Sequence, residues 1–115
     1  MDESQVPIPP ARGPLQINSE TREGIVTLLL AGELDIASAP ELQRAMDDLA
    51  STHTERLVID LGAVTFMDSS GLRTLLLARQ RADDGDHELV LRSGSRQVQR
   101  VLELSGAIDS FTFER

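Results

Sequence analysis

The segment Leu57-Val58-Ile59-Asp60-Leu61 constrains the fold more than any other part of the chain. A short run with a single charge suits a strand covered on both faces, as in a parallel sheet. Parallel neighbours need a crossover connection, and the sequence supplies helical ones. Leu72, Leu75, Leu76 and Ala82 fall on one inward stripe, with Arg73 and Arg81 outward and the Arg79 stem near the stripe. Gly85 is a C-terminal stop, and Leu89-Val90-Leu91 reads as the next strand. Ser93 or Ser95 caps a further helix bearing Val98, Val101 and Leu102, which Gly106 ends. Phe111-Thr112-Phe113 reads as a short last strand with both rings on one side. Strand, helix, strand, helix, strand predicts right-handed crossovers and a parallel sheet in this half.

Upstream the pattern differs. Leu15-Gln16-Ile17 alternates like an edge strand, Asn18 to Gly24 is polar and turn-like, and Ile25 to Ala31 is a longer strand. Together they predict an antiparallel hairpin. Ser38 with Glu41 reads as a capping box, with Pro40 tolerated in the first turn. The helix it opens turns Leu42, Ala45, Met46 and Leu49 inward and Glu41, Arg44, Asp47 and Asp48 to solvent. Ser51 to Arg56 reads as a loop. The expectation is an α/β fold: a mixed sheet of about four to five strands with helices mainly on one face, built by residues 15–115 as one domain. Residues 1–14, with Pro7, Pro9, Pro10 and Pro14, read as a disordered proline-rich leader.

Several absences narrow the chemistry. A net charge of -8 over 115 residues opposes binding to nucleic acid or to an anionic membrane, both of which need a concentrated basic surface. No Cys is present, which excludes disulfides, thiol nucleophiles and thiolate metal sites. No Lys is present either, all 11 basic residues being Arg, which removes Schiff-base chemistry and the P-loop lysine. No apolar run approaches the roughly 18 residues of a membrane span, and the start lacks a signal-peptide pattern, so a cytoplasmic protein is expected. Asp83-Asp84-Gly85-Asp86 lacks the alternating ligands of a calcium loop and reads as a solvated turn, so no metal or cofactor is expected.

The chemistry concentrates in Val64-Thr65-Phe66-Met67-Asp68-Ser69-Ser70-Gly71-Leu72, between the central strand and the leucine-rich helix. Asp and Ser accept from the unpaired N–H groups of a first helical turn. Gly71 allows a close approach of another surface. The same helix end offers free amides and a positive dipole to a phosphate. A plain N-cap accounts for these residues as well, and nothing local decides which serine is special. Serine hydrolysis needs an imidazole, and His53 and His87 lie in polar loops away from this turn, without a nucleophile-elbow setting. No catalytic residue is assigned.

Phe66-Met67-Asp68-Ser69-Ser70-Gly71-Leu72, together with the Leu57 to Leu61 strand, Gly32-Glu33-Leu34-Asp35 and Leu104-Ser105-Gly106, resembles the STAS-domain anti-anti-sigma factors of bacteria. The resemblance spans about residues 15 to 115, and it rests on the order and spacing of these segments together. It implies an anti-sigma factor antagonist that binds an anti-sigma serine kinase of the histidine-kinase-like ATPase fold and releases a sigma factor. It further implies phosphorylation of Ser69 by that kinase, reversal by a PP2C-type phosphatase, and a monomer or weak dimer. The partner-facing residues it implies are Glu33, Asp35, Asp68, Ser69, Ser70, Gly71 and Leu72. Two other readings stand beside it: a STAS scaffold subunit of a larger signalling or transport assembly, in which Ser69 is structural, and a serine hydrolase.

Overall fold

The computed structural model describes residues 14–49, 52–85 and 87–114. The leader, apart from Pro14, lies outside the described residues, as do Ser51 at the start of the expected loop and Asp86 of the acidic turn. The elements run β1 (Gln16–Arg22), β2 (Ile25–Leu34), α1 (Ala39–Asp48), β3 (Arg56–Met67), α2 (Ser69–Gly85), β4 (Glu88–Arg92), α3 (Arg96–Leu104), a 3-10 turn (Ala107–Ser110) and β5 (Thr112–Glu114). The strands form one five-stranded sheet in the order β1-β2-β3-β4-β5. β1 pairs antiparallel with β2, and every other neighbouring pair is parallel.

One sheet face is apolar and carries the helices. Val26, Leu28, Leu30, Leu57, Ile59, Leu61 and Leu91 pack with Leu42, Met46, Leu75, Ala78, Val98 and Leu102 in a single core. Phe111 and Phe113 both pack against that core, as the alternation requires. The opposite face carries cross-strand ion pairs: Arg56 to Glu88 at 2.8 Å, and Arg92 to Asp60 at 3.3 Å and to Glu114 at 2.5 Å. These residues are register partners, so the parallel pairing itself brings opposite charges side by side.

Four expectations are corrected. The polar stretch after Ile17 is strand as far as Arg22, because pairing with β2 supplies what its side chains do not. Only Glu23 and Gly24 turn, with φ of 52° and 82°, the left-handed pair of a two-residue hairpin. β3 continues through Met67, so most of the segment read as a turn is strand. On α2 the inward stripe is Gly71, Thr74, Leu75, Ala78 and Ala82, while Leu76 lies outward. The Ser38–Glu41 capping box does not form, and the Ser38 hydroxyl instead donates to the Glu33 carbonyl at 2.7 Å.

Candidate functional site

The site lies where β2 and β3 end side by side. Their register pairs Glu33 with Phe66 and Leu34 with Met67. Gly32, at φ 110°, lies beside a register shift in which Thr65 is the extra residue on β3, and the Glu33 and Leu34 pairings follow it. The Asp68 amide then donates to the Leu34 carbonyl at 3.3 Å, tying the start of α2 to the loop after β2. This is the carboxyl edge of the parallel strands, where open α/β sheets place their binding surfaces.

Asp68 caps α2. Its Oδ1 accepts from the Ser70 amide at 2.9 Å and the Gly71 amide at 3.3 Å, and its carbonyl accepts from the Leu72 amide at 3.1 Å. Two of the amides expected to be free for a phosphate are therefore filled by the chain's own carboxylate. Ser69 is exposed, and its hydroxyl makes no hydrogen bond among the described residues. Ser70 is half-buried, with its amide held by Asp68 and its carbonyl accepting from Thr74 Oγ1 at 3.0 Å. The two serines, equivalent in sequence, are thus distinguished by exposure.

The close approach that Gly71 permits is internal. A Cβ there would stand 2.6 Å from the Leu34 carbonyl oxygen and 2.7 Å from Met67 Cγ. Gly71 is buried and Leu72 half-buried against the core, so these two seat the helix rather than forming its outer surface. Asp35 is half-buried and likewise engaged: its Oδ1 accepts from the Ala37 and Ser38 amides, each at 3.1 Å. The Ser38 hydroxyl bonds the same oxygen at 3.1 Å and accepts from the Asp35 amide at 2.9 Å, which closes the loop on itself. Glu33 is half-buried opposite Phe66.

Two contributors, Ile36 and Gln97, escaped sequence reading, and Phe66 was read only as part of the motif, without a place on the surface. Ile36, at the tip of that loop, is 76% exposed, and Phe66 is 36% exposed. An apolar residue isolated between Asp35 and Ala37 in a polar loop was the available signal for Ile36. Gln97, on α3, bonds both backbone groups of Met67, at 3.0 and 3.2 Å. No sequence signal marks that contact, because it joins positions 30 residues apart.

His53 and His87 precede β3 and β4, whereas Ser69 follows β3. A 12-residue strand at roughly 3.3 Å per residue separates them from the serine, so no imidazole reaches its hydroxyl. No group of acidic and histidine side chains among the described residues can hold a metal ion, and no described helix is long and apolar enough to cross a membrane.

A family model described as the STAS domain matches residues 16–115. The anti-sigma-B factor antagonist of Staphylococcus aureus is 27% identical over 95 residues, which cover 83% of this chain and 88% of that protein. Among solved structures, an anti-sigma factor antagonist from Mycobacterium paratuberculosis superposes with a TM-score of 0.74 at 27% identity, covering 86% of this chain and 84% of that one. The anti-sigma factor antagonist SpoIIAA of Bacillus, in its unphosphorylated form, gives a TM-score of 0.72 at 22% identity, covers 88% of each chain, and shares the fold.

Proposed function

The chain belongs to the STAS-domain family, and from that premise we propose that it is an anti-sigma factor antagonist whose partner is an anti-sigma factor with serine kinase activity. Binding at the edge formed by Glu33, Asp35, Asp68 and Ser69 would sequester that partner in the bacterial cytoplasm and leave a sigma factor free. Ser70 borders the same edge, while Gly71 and Leu72 shape it from beneath by seating α2 against Leu34 and the core. The relatives' names support the antagonist role. The observation that carries the switch is the exposed Ser69 hydroxyl, without a hydrogen-bond partner among the described residues, on an edge that also presents Ile36 and Phe66.

In the switching step the Ser69 Oγ attacks the γ-phosphorus of ATP held by the kinase. The Oγ–P bond forms, the bond to the ADP oxygen breaks, and the hydroxyl proton passes to a base on the kinase. A PP2C-type phosphatase reverses the step by hydrolysis to inorganic phosphate. The phosphoryl group adds a charge of about -1.5 to -2 beside Asp68. Because Asp68 already fills two of the helix-end amides, and Ser69 itself is exposed, that charge stays at the surface and falls on any interface docked there. Unmodified protein binds; phosphoprotein does not.

The test uses the wild-type chain, Ser69→Ala and Ser69→Asp as baits in the native lysate, followed by ATP treatment of the recovered complex. The expected result is a kinase-like ATPase held by wild type and Ser69→Ala, lost with Ser69→Asp, and phosphorylation of wild type at Ser69. Equal recovery of a different assembly by all three baits, with no phosphate incorporated, would replace this reading with a scaffold role.

A further inference from the structure

We propose that Arg73 is the intramolecular counter-charge for a phosphoryl group on Ser69, an inference that rests on the reading of Ser69 as the phosphoacceptor. Ser69 is the first residue of α2, and Arg73 stands one turn further along; both are exposed. Residues at this spacing share a face, with Cβ atoms about 5–6 Å apart. Helical side chains lean toward the N-terminus, so the Arg73 side chain covers the turn that carries Ser69.

Arg73 is also available. Arg56, Arg79, Arg81 and Arg92 each pair with a carboxylate, whereas Arg73 has no ion pair or side-chain hydrogen bond among the described residues. The Ser70 and Gly71 amides, which would otherwise hold an anion, are taken by Asp68, and Thr74 Oγ1 is taken by the Ser70 carbonyl. The guanidinium, whose paired N–H groups match two phosphate oxygens, is then the charged donor one turn from a phosphate on Ser69. The order, anion first and cation four residues later, is also the favourable one on a helix. Phosphorylation then changes the docking edge twice, by adding a dianion and by engaging a free cation that a partner carboxylate would otherwise meet.

The full chain with phosphoserine installed genetically at position 69 tests this without any kinase. The readout is the second phosphate ionisation, followed by phosphorus NMR, in the wild-type background and in Arg73→Gln, Arg73→Lys and Arg22→Gln. Asp68 beside the phosphate and Asp35 in the adjoining loop push that pKa up, while Arg73 and the helix dipole pull it down. Arg73→Gln is expected to raise it by on the order of 0.3 unit, and Arg73→Lys to restore most of the difference. Arg22→Gln removes the same charge at the opposite end of the sheet and is expected to change nothing. Identical titrations with and without Arg73, or an equal shift from Arg22→Gln, would overturn the pairing. A clear Arg73 effect in a protein that no kinase modifies would leave the pairing intact and refute the phosphoswitch instead.

Discussion

Gln97 closes its side-chain amide on both backbone groups of Met67: Oε1 accepts from the Met67 amide at 3.0 Å, and Nε2 donates to the Met67 carbonyl at 3.2 Å. β4 pairs with β3 only from Arg56 to Asp60, so the last residues of β3 have no strand on that side, and Gln97 stands in for one. Gln97→Ala leaves the donor and acceptor of a buried residue unpaired, which costs about 1–3 kcal/mol. Urea unfolding and hydrogen exchange should show that loss together with faster exchange at Met67. Gln97→Glu keeps the acceptor but turns a carboxylate oxygen toward a carbonyl, and it should regain stability on acidification.

Gly71 and Ser69 separate stability from function. Gly71→Ala would place a Cβ 2.6 Å from the Leu34 carbonyl oxygen, and the helix must shift. The expected loss is about 1–3 kcal/mol in thermal or urea unfolding. Ser69→Ala, at an exposed hydroxyl without partners among the described residues, should stay within about 0.5 kcal/mol of wild type.

Asp68 combines a cap with a charge, and two substitutions divide them. Asp68→Asn retains a carbonyl oxygen for the Ser70 and Gly71 amides, and unfolding should detect little change. Asp68→Ala removes the cap and should cost about 1 kcal/mol. If Asn proved as destabilising as Ala, the charge rather than the capping geometry would be what holds the helix end.

Ile36 is 76% exposed and contributes little to the core. Ile36→Ser should leave the unfolding midpoint unchanged while weakening capture of the anti-sigma partner by roughly tenfold or more in a calorimetric titration, as expected for an apolar interface anchor. Unchanged affinity would place the loop tip outside the interface.

Arg92 joins three strands on the helix-free face. Its hydrogen bonds to Glu114 and Asp60 hold its pKa above the ordinary arginine value. A raised folded pKa gives stability that is complete below the unfolded value and lost only as pH climbs through the folded one. The guanidinium therefore contributes no pH dependence near neutrality. Arg92→Gln should cost under about 1 kcal/mol, and the difference from wild type should shrink as salt is added.

The strand at Leu57 to Leu61 was legible because an almost uninterrupted apolar run has few alternatives, and the helices because Leu42 with Met46 and Val98 with Leu102 recur at one-turn spacing. Leu76 was misread for a related reason. It adjoins Leu75 and Leu77, and a run of leucines does not reveal which of them faces the sheet. The extent of β1 was hidden because its polar residues are held by backbone pairing, which side-chain patterning does not report.

The sequence by itself determined the order of elements, the hairpin followed by parallel crossovers, and the family segments around Asp68 and Asp35, since each is written in local spacing. Tertiary structure alone decided how that edge works. It turned Ser69 outward and Ser70 partly inward, filled two of the helix-end amides with Asp68, put Gly71 under Leu34, and brought Gln97 to Met67. The reason is physical: periodicity records which residues one element buries, whereas exposure and hydrogen-bond competition at a junction depend on where the ends of several elements meet in space.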